Sequence, residues 1–280
     1  MTHHARLNWI MLSAIVGVLL FLYFRPQLQD SRDYPIFTNS AAATKALRLV
    51  SKHGEIVLEQ RHDHWYVTKP LRARPDAEKL KAIEKILAAR SQQRFPLSDL
   101  ARYGLEYPYL ELHADSQRVA FGGFAPITNQ QYVTSGDTVY LIAPHYGLAL
   151  PQQVDGLIDR RLLAAHEIPV RFDWENSTVK QLDDGWHLDV TDVRTVSNNA
   201  VLQQWVRMWQ TAIASELVIK PQTQGNSFIR VSLQNGQELT FWVSRTADAI
   251  VLQRQDEDIG YQFSVETGQQ LLDPGMVRID

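Results

Sequence analysis

Two stretches of this sequence decide its fold: IVLEQRHDHWYV, residues 56–67, and STVKQLDDGWHL, residues 177–188. Each contains an apolar segment, a short polar turn and a second segment that begins with tryptophan. Two such segments around a polar turn predict a β-hairpin, and Asp-Gly ahead of a strand strengthens the prediction. The two stretches lie about 120 residues apart, so the chain is predicted to contain an internal repeat.

A helix is predicted after each hairpin, because a polar capping residue precedes apolar residues spaced three and four apart. In the first half Asp76 is the cap, and the apolar positions are Leu80, Ile83, Ile86 and Leu87. In the second half Ser197 or Asn198 is the cap, and the apolar positions are Val201, Trp205, Met208 and Trp209. We interpret the second stripe as core, since the matching residues of the first are Ile and Leu. Binding of an apolar ligand or a partner helix is the alternative.

Four short alternating segments follow each helix and predict strands, at residues 109–112, 119–121, 131–133 and 139–142, and at residues 228–233, 239–243, 249–252 and 261–264. Each half closes with an apolar segment that is predicted to be helical, residues 154–163 and residues 268–272. Hairpin-length connections imply antiparallel pairing. Each half therefore reads β-β-α-β-β-β-β-α.

The predicted fold class is α+β, with an N-terminal transmembrane helix followed by two similar units of antiparallel sheet and helix. The expected boundaries are a stub and anchor at residues 1–25, a tether at 26–49, a first repeat at 50–165 and a second repeat at 166–280. A repeat of this length indicates a duplicated domain and not a solenoid unit.

The anchor prediction rests on residues 9–24, which are apolar apart from Ser13 and Gly17. Extended to residues 7–24, the segment forms roughly 24–27 Å of helix, close to the thickness of a hydrocarbon core. A cleaved signal peptide is the rival interpretation, but Arg25 and Pro26 follow where small residues would be expected. The short stub and long body favour a signal-anchor arrangement, with the stub in the cytoplasm.

Composition excludes several classes of function. The formal net charge is −3, and basic residues are mixed with acidic ones, so nucleic acid is not expected as a partner. The chain has no cysteine, which excludes disulfides, thiolate zinc sites, iron–sulfur clusters and cysteine nucleophiles.

The first half contains a series of short segments: WYVTKP at 65–70, YGL at 103–105 with Pro108, GG at 122–123, QYV at 131–133, VYL at 139–141 and DRRLL at 159–163. In their order and spacing these segments resemble a bacterial family called domain of unknown function 4340, over roughly residues 50–165. The second half departs from this pattern. The resemblance implies an anchored envelope protein, in some members beside gliding-type ABC transporter auxiliary components, and it implies no catalytic residue.

The most tempting chemical cluster is His62-Asp63-His64, because two histidines at i and i+2 share a face of a strand and could bind zinc or copper. The matching turn of the second half, Asp183-Asp184-Gly185, has no imidazole. A solvated hairpin tip explains both turns, so no metal ligand is assigned.

No other motif predicts catalysis. The sequence has no His-Glu-x-x-His spacing, no Gly-x-Ser-x-Gly elbow and no Walker motif. Gly122-Gly123 is interpreted as a turn. The acidic residues of turn-like sequence are interpreted as solvated, namely Asp183, Asp184, Asp256, Glu257 and Asp258. No catalytic, cofactor-binding or metal residue is therefore expected, and no cofactor.

Three functional hypotheses remain, of which an enzyme of unfamiliar type is the third. The first is a non-enzymatic accessory or scaffold protein in the inner membrane of a bacterium, with its body in the periplasm and in contact with another envelope protein. The second is a periplasmic module that binds a glycan or a peptide between the two repeats. A deep pocket between the repeats would favour the second hypothesis, and a broad exposed apolar patch would favour the first.

Overall fold

The computed structural model describes residues 9, 11–18, 20, 33–38, 41–61, 63–190, 198–219 and 227–277. The chain forms two units, Met1–Tyr34 and Pro35–Asp280. In the first unit Trp9, residues 11–18 and Leu20 are helical, and the rest of the predicted 7–24 segment lies outside the described residues. Within the described residues, none of the helices has the length and apolar character needed to cross a bilayer.

The strands in chain order begin with β1 (Tyr34–Pro35), β2 (Ala46–Ser51), β3 (Gly54–Arg61), β4 (His64–Lys69), β5 (Arg90–Ser91), β6 (Arg94–Pro96), β7 (Leu110–Ala114), β8 (Gln117–Phe124), β9 (Gln131–Ser135) and β10 (Thr138–Ile142). They continue with β11 (Pro169–Trp174), β12 (Ser177–Leu182), β13 (Gly185–Val190), β14 (Glu216–Ile219), β15 (Ser227–Leu233), β16 (Glu238–Arg245), β17 (Ala249–Arg254) and β18 (Ile259–Ser264). The α-helices of the second unit are α1 (Ala77–Leu87), α2 (His145–Leu148), α3 (Asn199–Thr211) and α4 (Val265–Leu272).

Two eight-stranded antiparallel sheets share one strand order. The first runs β4-β3-β2-β7-β8-β9-β10-β6, and the second runs β13-β12-β11-β15-β16-β17-β18-β14. The tryptophans that open the second hairpin strands are equivalent, because Trp65 lies opposite Gln60 and Trp186 lies opposite Gln181. The α+β class is confirmed, and the common strand order explains the similarity of the two hairpin sequences.

Local sequence explains where the two main helices begin. The Asp76 carboxylate accepts hydrogen bonds from the N–H groups of Glu78 and Lys79 at 2.9 and 3.0 Å. The Asn198 side chain caps α3 by accepting from the N–H of Ala200. Such caps satisfy backbone donors that the first turn of a helix leaves unpaired. Both predicted helix starts are confirmed, with Asn198 as the second cap.

The apolar stripes of α1 and α3 enter one hydrophobic core that continues through both halves. In the first half this core is largely aliphatic, with Ile83 and Leu87 from α1. In the second half Trp205 and Trp209 are fully buried. The Trp209 ring packs edge-on against the Phe241 ring, with their centroids 5.4 Å apart. The interpretation of the tryptophan stripe as core is confirmed.

The structure differs from the predicted element pattern in three respects. Each half opens with an additional strand, β2 or β11, that pairs on both sides. Each sheet also ends in a strand, β6 or β14, that follows its helix. Residues 154–163 are not a helix: a single 3-10 turn, Val154–Gly156, is followed by extended backbone that bridges to Pro75 and Ile213.

The first additional strand changes the expected tether. Because β2 lies inside residues 26–49 for most of its length, part of that stretch belongs to the folded body. Ile36 and Phe37 are also buried in the core. The alternation of Leu47 and Leu49 on β2 was the sequence signal for this strand.

Candidate functional site

A cleft of about 840 Å³ lies between the two halves. The first half lines it with residues 63–68 of the β3–β4 hairpin, the loop from Arg72 to Pro75 and the first residues of α1. The second half contributes the start of β16 and the turn between β17 and β18. Residues 164–167, in the connection between the two halves, also line the cleft. A concave site of this size with converging polar groups is typical of ligand-binding sites.

A buried ionic network joins the walls of the cleft. Arg254 is 1% exposed and donates to both carboxylate oxygens of Glu167, at 2.8 Å each. Arg74, from the first half, donates to Glu167 at 3.1 Å and to Glu257 at 2.6 Å. The Tyr261 hydroxyl donates to Glu257 at 2.6 Å and accepts from Arg74 at 2.7 Å. Arg254 also donates to the exposed Asp256 carboxylate at 2.8 Å. Two guanidinium groups and two buried carboxylates therefore neutralise one another, with a third carboxylate at the exposed end.

The connection between the halves completes this network. Glu167 accepts from the N–H of Ala164 at 2.6 Å, and Arg74 donates to the carbonyl oxygens of Arg161 and Leu162. Buried charges are tolerated only when they are paired and their remaining donors are satisfied. The network therefore fixes the path of the connection as well as the contact between the halves.

The network shifts the pKa values of its own ionisable groups. Burial by itself would raise the pKa of Glu167, but the hydrogen bonds and positive charges of Arg254 and Arg74 lower it to about 2. Burial opposes the charged form of Arg74, yet Glu257 and its other partners hold the pKa of Arg74 above its ordinary value. Burial and the charge of Glu257 raise the pKa of Tyr261 well above its ordinary value. At neutral pH Glu167 is therefore ionised, while Arg74 and Tyr261 keep their protons.

A more exposed ion pair crosses the cleft beside this network. Arg72 donates from its backbone N–H and its side chain to the Asp258 carboxylate, with the shortest side-chain distance at 2.9 Å. The N–H of Asp258 in turn donates to the Arg72 carbonyl oxygen at 2.8 Å. The backbone bonds place the loop before α1 against the β17–β18 turn.

The sequence interpretation of the acidic turn residues is partly wrong. Glu257 is 4% exposed and belongs to the network, and Asp258 is half-buried against Arg72, whereas Asp183, Asp184 and Asp256 are exposed as expected. No local pattern separates Glu257 from its neighbours, because its partner Arg74 is distant in sequence. The network residues were missed for the same reason, since only the fold brings them together.

One histidine of the first hairpin, His64, contacts the segment that connects the two halves. His64 stacks on His166 of the connection, with ring centroids 4.4 Å apart and ring planes 9° apart. Burial lowers the pKa of His166, and the neighbouring His64 lowers it further. Arg61 pairs with His64 across the turn, as expected for a hairpin tip, and His62 lies outside the described residues. Within the described residues, no three His, Cys, Asp or Glu side chains are grouped so that they could hold a metal ion.

The glycine pair of the first half has a packing role. Gly122 and Gly123 lie in β8 at an irregularity in its pairing with β9, and not in a turn as predicted. A Cβ added to Gly122 would lie 2.5 Å from the Tyr103 carbonyl oxygen, and one added to Gly104 would lie 2.8 Å from the N of Gly123. Gly104 also has a positive φ of 65°. Close backbone approach, which only glycine permits, therefore explains the YGL and GG segments without a phosphate ligand.

Comparison with known proteins gives a family but no activity. The family model described as domain of unknown function (DUF4340) matches residues 65–227, which run from β4 to the first residue of β15. The match continues into the second half, beyond the resemblance expected from sequence. No curated protein and no solved structure matches the chain. Since the match covers more than half of the sequence, this chain belongs to the family called domain of unknown function 4340.

Proposed function

We propose that this chain is an accessory binding protein of the bacterial envelope, anchored by one N-terminal helix, whose body binds a ligand in the cleft between its two halves. The cleft is the observation that carries the proposal, since both halves and their connection line it. Its volume falls within the range of known ligand pockets. The buried network beneath it supplies rigid walls, because each of its charged groups is fixed by several hydrogen bonds.

The buried network favours a structural role over a catalytic one, which supports a binding function for the cleft. Arg74 and Arg254 donate to carboxylates of the network and to backbone carbonyls. Glu167 accepts from both arginines and from the N–H of Ala164. A catalytic acid or base needs a pKa near the working pH, whereas Glu167 is held at about 2. The groups that remain toward the opening are side chains suited to recognition, such as Gln237, Thr240 and Gln255.

Site-specific crosslinking in living cells tests the cleft. A benzophenone amino acid at Gln255, which is exposed on the cleft wall, should yield a specific adduct. The same group at Asp189, which is exposed on β13 and does not line the cleft, is the matched control. Filling the cleft with Thr240→Trp should abolish the Gln255 adduct. Equal adducts at both positions, or none at Gln255, would contradict the proposal.

The anchored location is proposed from residues 7–24. Their apolar composition and length favour a single membrane-spanning helix with the body in the periplasm. The full chain should stay with membranes in alkaline carbonate, and a periplasm-dependent reporter enzyme fused after Asp280 should be active. Release of the body in soluble form, or activity only of a cytoplasm-dependent reporter, would contradict this location.

A scaffold role through surface contact is the second candidate, and two exposed side chains favour it. Tyr107 is 85% exposed and Ile127 is 97% exposed, both in loops of the first half. Large apolar side chains that protrude in this way are frequent at protein interfaces. The double substitution Tyr107→Ser and Ile127→Ser should reduce co-purification with an envelope partner if these side chains are used, and Thr240→Trp should then have no effect.

A further inference from the structure

The outer edge of β4 is open where it lines the cleft. On this edge Val67 exchanges two hydrogen bonds with Ala73, at 2.9 and 3.2 Å. Backbone groups alternate sides along a strand, so the N–H and C=O of Trp65 face the same edge. The opposite residue supports this direction, because Gln60 donates its N–H away from β4, to Lys45 at 2.9 Å. Within the described residues, neither backbone group of Trp65 has a hydrogen-bond partner on the cleft edge.

At the equivalent place in the second half, a side chain pairs the tryptophan N–H. The N–H of Trp186 donates to Oδ1 of Asn199 at 3.0 Å, and Nδ2 of Asn199 donates to the Asp184 carbonyl oxygen at 3.4 Å. Asn199 is the first residue of α3. The first residue of α1 is Ala77, whose methyl group cannot make these bonds and which lines the cleft. The two halves therefore differ at this tryptophan, whose N–H is paired by a side chain in the second half and not in the first.

The chain itself shows that the β4 edge accepts a strand, and why that strand stops. Ala73 pairs with Val67 in antiparallel fashion. Two residues later the chain reaches Pro75, which has no N–H to donate and pairs instead with Ile158. The ladder ends beside Trp65, at the wall of the cleft.

We propose that the ligand of the cleft is an extended polypeptide segment of a partner protein, which adds to β4 as a further strand and exchanges two hydrogen bonds with Trp65. This inference rests on the proposed function. Strand addition draws affinity from the main chain and specificity from pockets for alternate side chains. The unpaired N–H and C=O of Trp65 are the donor and acceptor that one residue of such a strand requires.

The lining of the cleft indicates the character of the segment. Amide and hydroxyl side chains, from Gln237, Thr240 and Gln255, stand on the wall contributed by the second half. Basic and acidic side chains both line the cleft, such as Arg61 and Asp256. A segment with polar side chains and little net charge matches this lining. A glycan lacks the alternating N–H and C=O groups that the β4 edge would pair.

Peptide binding by the full chain in detergent tests the inference. A phage library of random 12-residue peptides provides the probe, and a selected peptide is synthesised with a fluorescent label. Ala77→Asn places in the first half the side chain that Asn199 provides in the second, so that it can accept the Trp65 N–H. This change should weaken peptide binding at least tenfold. Asn199→Ala, the matched change in the other half, should leave Kd within twofold. Unchanged thermal midpoints show that both variants are folded. Slower hydrogen exchange at the Trp65 amide in peptide-free Ala77→Asn shows that the new asparagine pairs this N–H.

Backbone methylation of the peptide distinguishes strand addition from other modes of binding. Methylating the N–H that pairs with the Trp65 carbonyl should abolish binding, and methylating the N–H of either neighbour should have little effect. Peptide should also slow hydrogen exchange at the Trp65 amide in the wild-type chain. Failure to select any peptide, equal affinity for Ala77→Asn, or uniform sensitivity to methylation would overturn the inference. The Gln255 crosslinking experiment in cells tests ligand binding in the cleft independently of whether the ligand is a peptide strand.

Discussion

The two halves have one topology but different interiors. Counting from the helix caps Asp76 and Asn198, Ile83 corresponds to Trp205 and Leu87 corresponds to Trp209. All four are buried, yet the second half fills these positions with indole rings that contact Phe172. The difference teaches that strand order depends on the pattern of apolar positions, while the residues at those positions set how each half packs.

The two halves also differ at their outer hairpin edges. Asn199 closes one edge, whereas Ala77 leaves the other open toward the cleft. The N–H of Trp186 is therefore paired, and Trp65 keeps an unpaired N–H and C=O on its outer edge, which proteins otherwise cover because such groups invite pairing with another chain. The largest differences in stability are expected from the interiors and the smallest from this edge.

Removing a core tryptophan should have the largest effect. Trp209→Ala creates a cavity and removes the hydrogen bond from Nε1 to the Leu271 carbonyl oxygen at 2.8 Å. We expect the free energy of unfolding to fall by about 5 kcal/mol. The matched change Leu87→Ala should cost about 3 kcal/mol, because a smaller cavity forms. Urea unfolding checks both values, and equal losses would show that the two interiors are energetically alike.

Breaking the network between the halves should come next. Arg254→Ala leaves Glu167 and Glu257 with one guanidinium fewer in a buried site. We expect a loss of about 4 kcal/mol, as for other buried pairs that lose one partner. Arg171→Ala breaks an exposed pair with Asp173 and should cost less than about 1 kcal/mol. Similar losses for the two arginine variants in urea unfolding would contradict the structural role of the network.

Acid should weaken the network through Glu167. Its folded pKa of about 2 lies below the ordinary 4.5, so its contribution is complete above pH 4.5 and is lost as the pH falls toward 2. The contribution amounts to about 3 kcal/mol at most. Stability measured against pH should therefore decline less steeply for Glu167→Gln than for the wild-type chain. A carboxyl carbon resonance of Glu167 that titrates near 4.5 would refute the shift directly.

The smallest effect is expected at the closed edge. Asn199→Ala removes the acceptor of the Trp186 N–H and should cost about 1 kcal/mol. Hydrogen exchange at the Trp186 amide should accelerate, while exchange at Val67, which pairs with Ala73, should not change. Unchanged exchange at Trp186 would show that Asn199 does not close this edge and would remove the contrast between the halves.

Sequence patterns were sufficient where the contacts are local. The hairpin turn between Arg61 and His64, the caps of α1 and α3 and the buried stripes follow from residues a few positions apart. The strands β2 and β11 were missed although Leu47 and Leu49, and Phe172 and Trp174, alternate as strand residues do. Both precede the more conspicuous hairpins, and only the sheet shows that they are central.

The cleft and its network could not be predicted, because they depend on residues distant in sequence. Arg74 and Glu257 are 183 positions apart, and the bond between them exists only when the two sheets are assembled. The open edge at Trp65 likewise depends on what stands beside it. Ala77 is an ordinary helix residue in the sequence, and its importance appears only when Asn199 is seen to occupy the matching place.

The sequence by itself determined the α+β class, the hairpins, the helix starts and the family, since periodicity, turn chemistry and motif spacing are properties of neighbouring residues. Tertiary structure alone decided which strands are central, which charges are buried and which edge is open. These properties arise from pairing between distant segments, where burial removes water and each unpaired polar group acquires a cost.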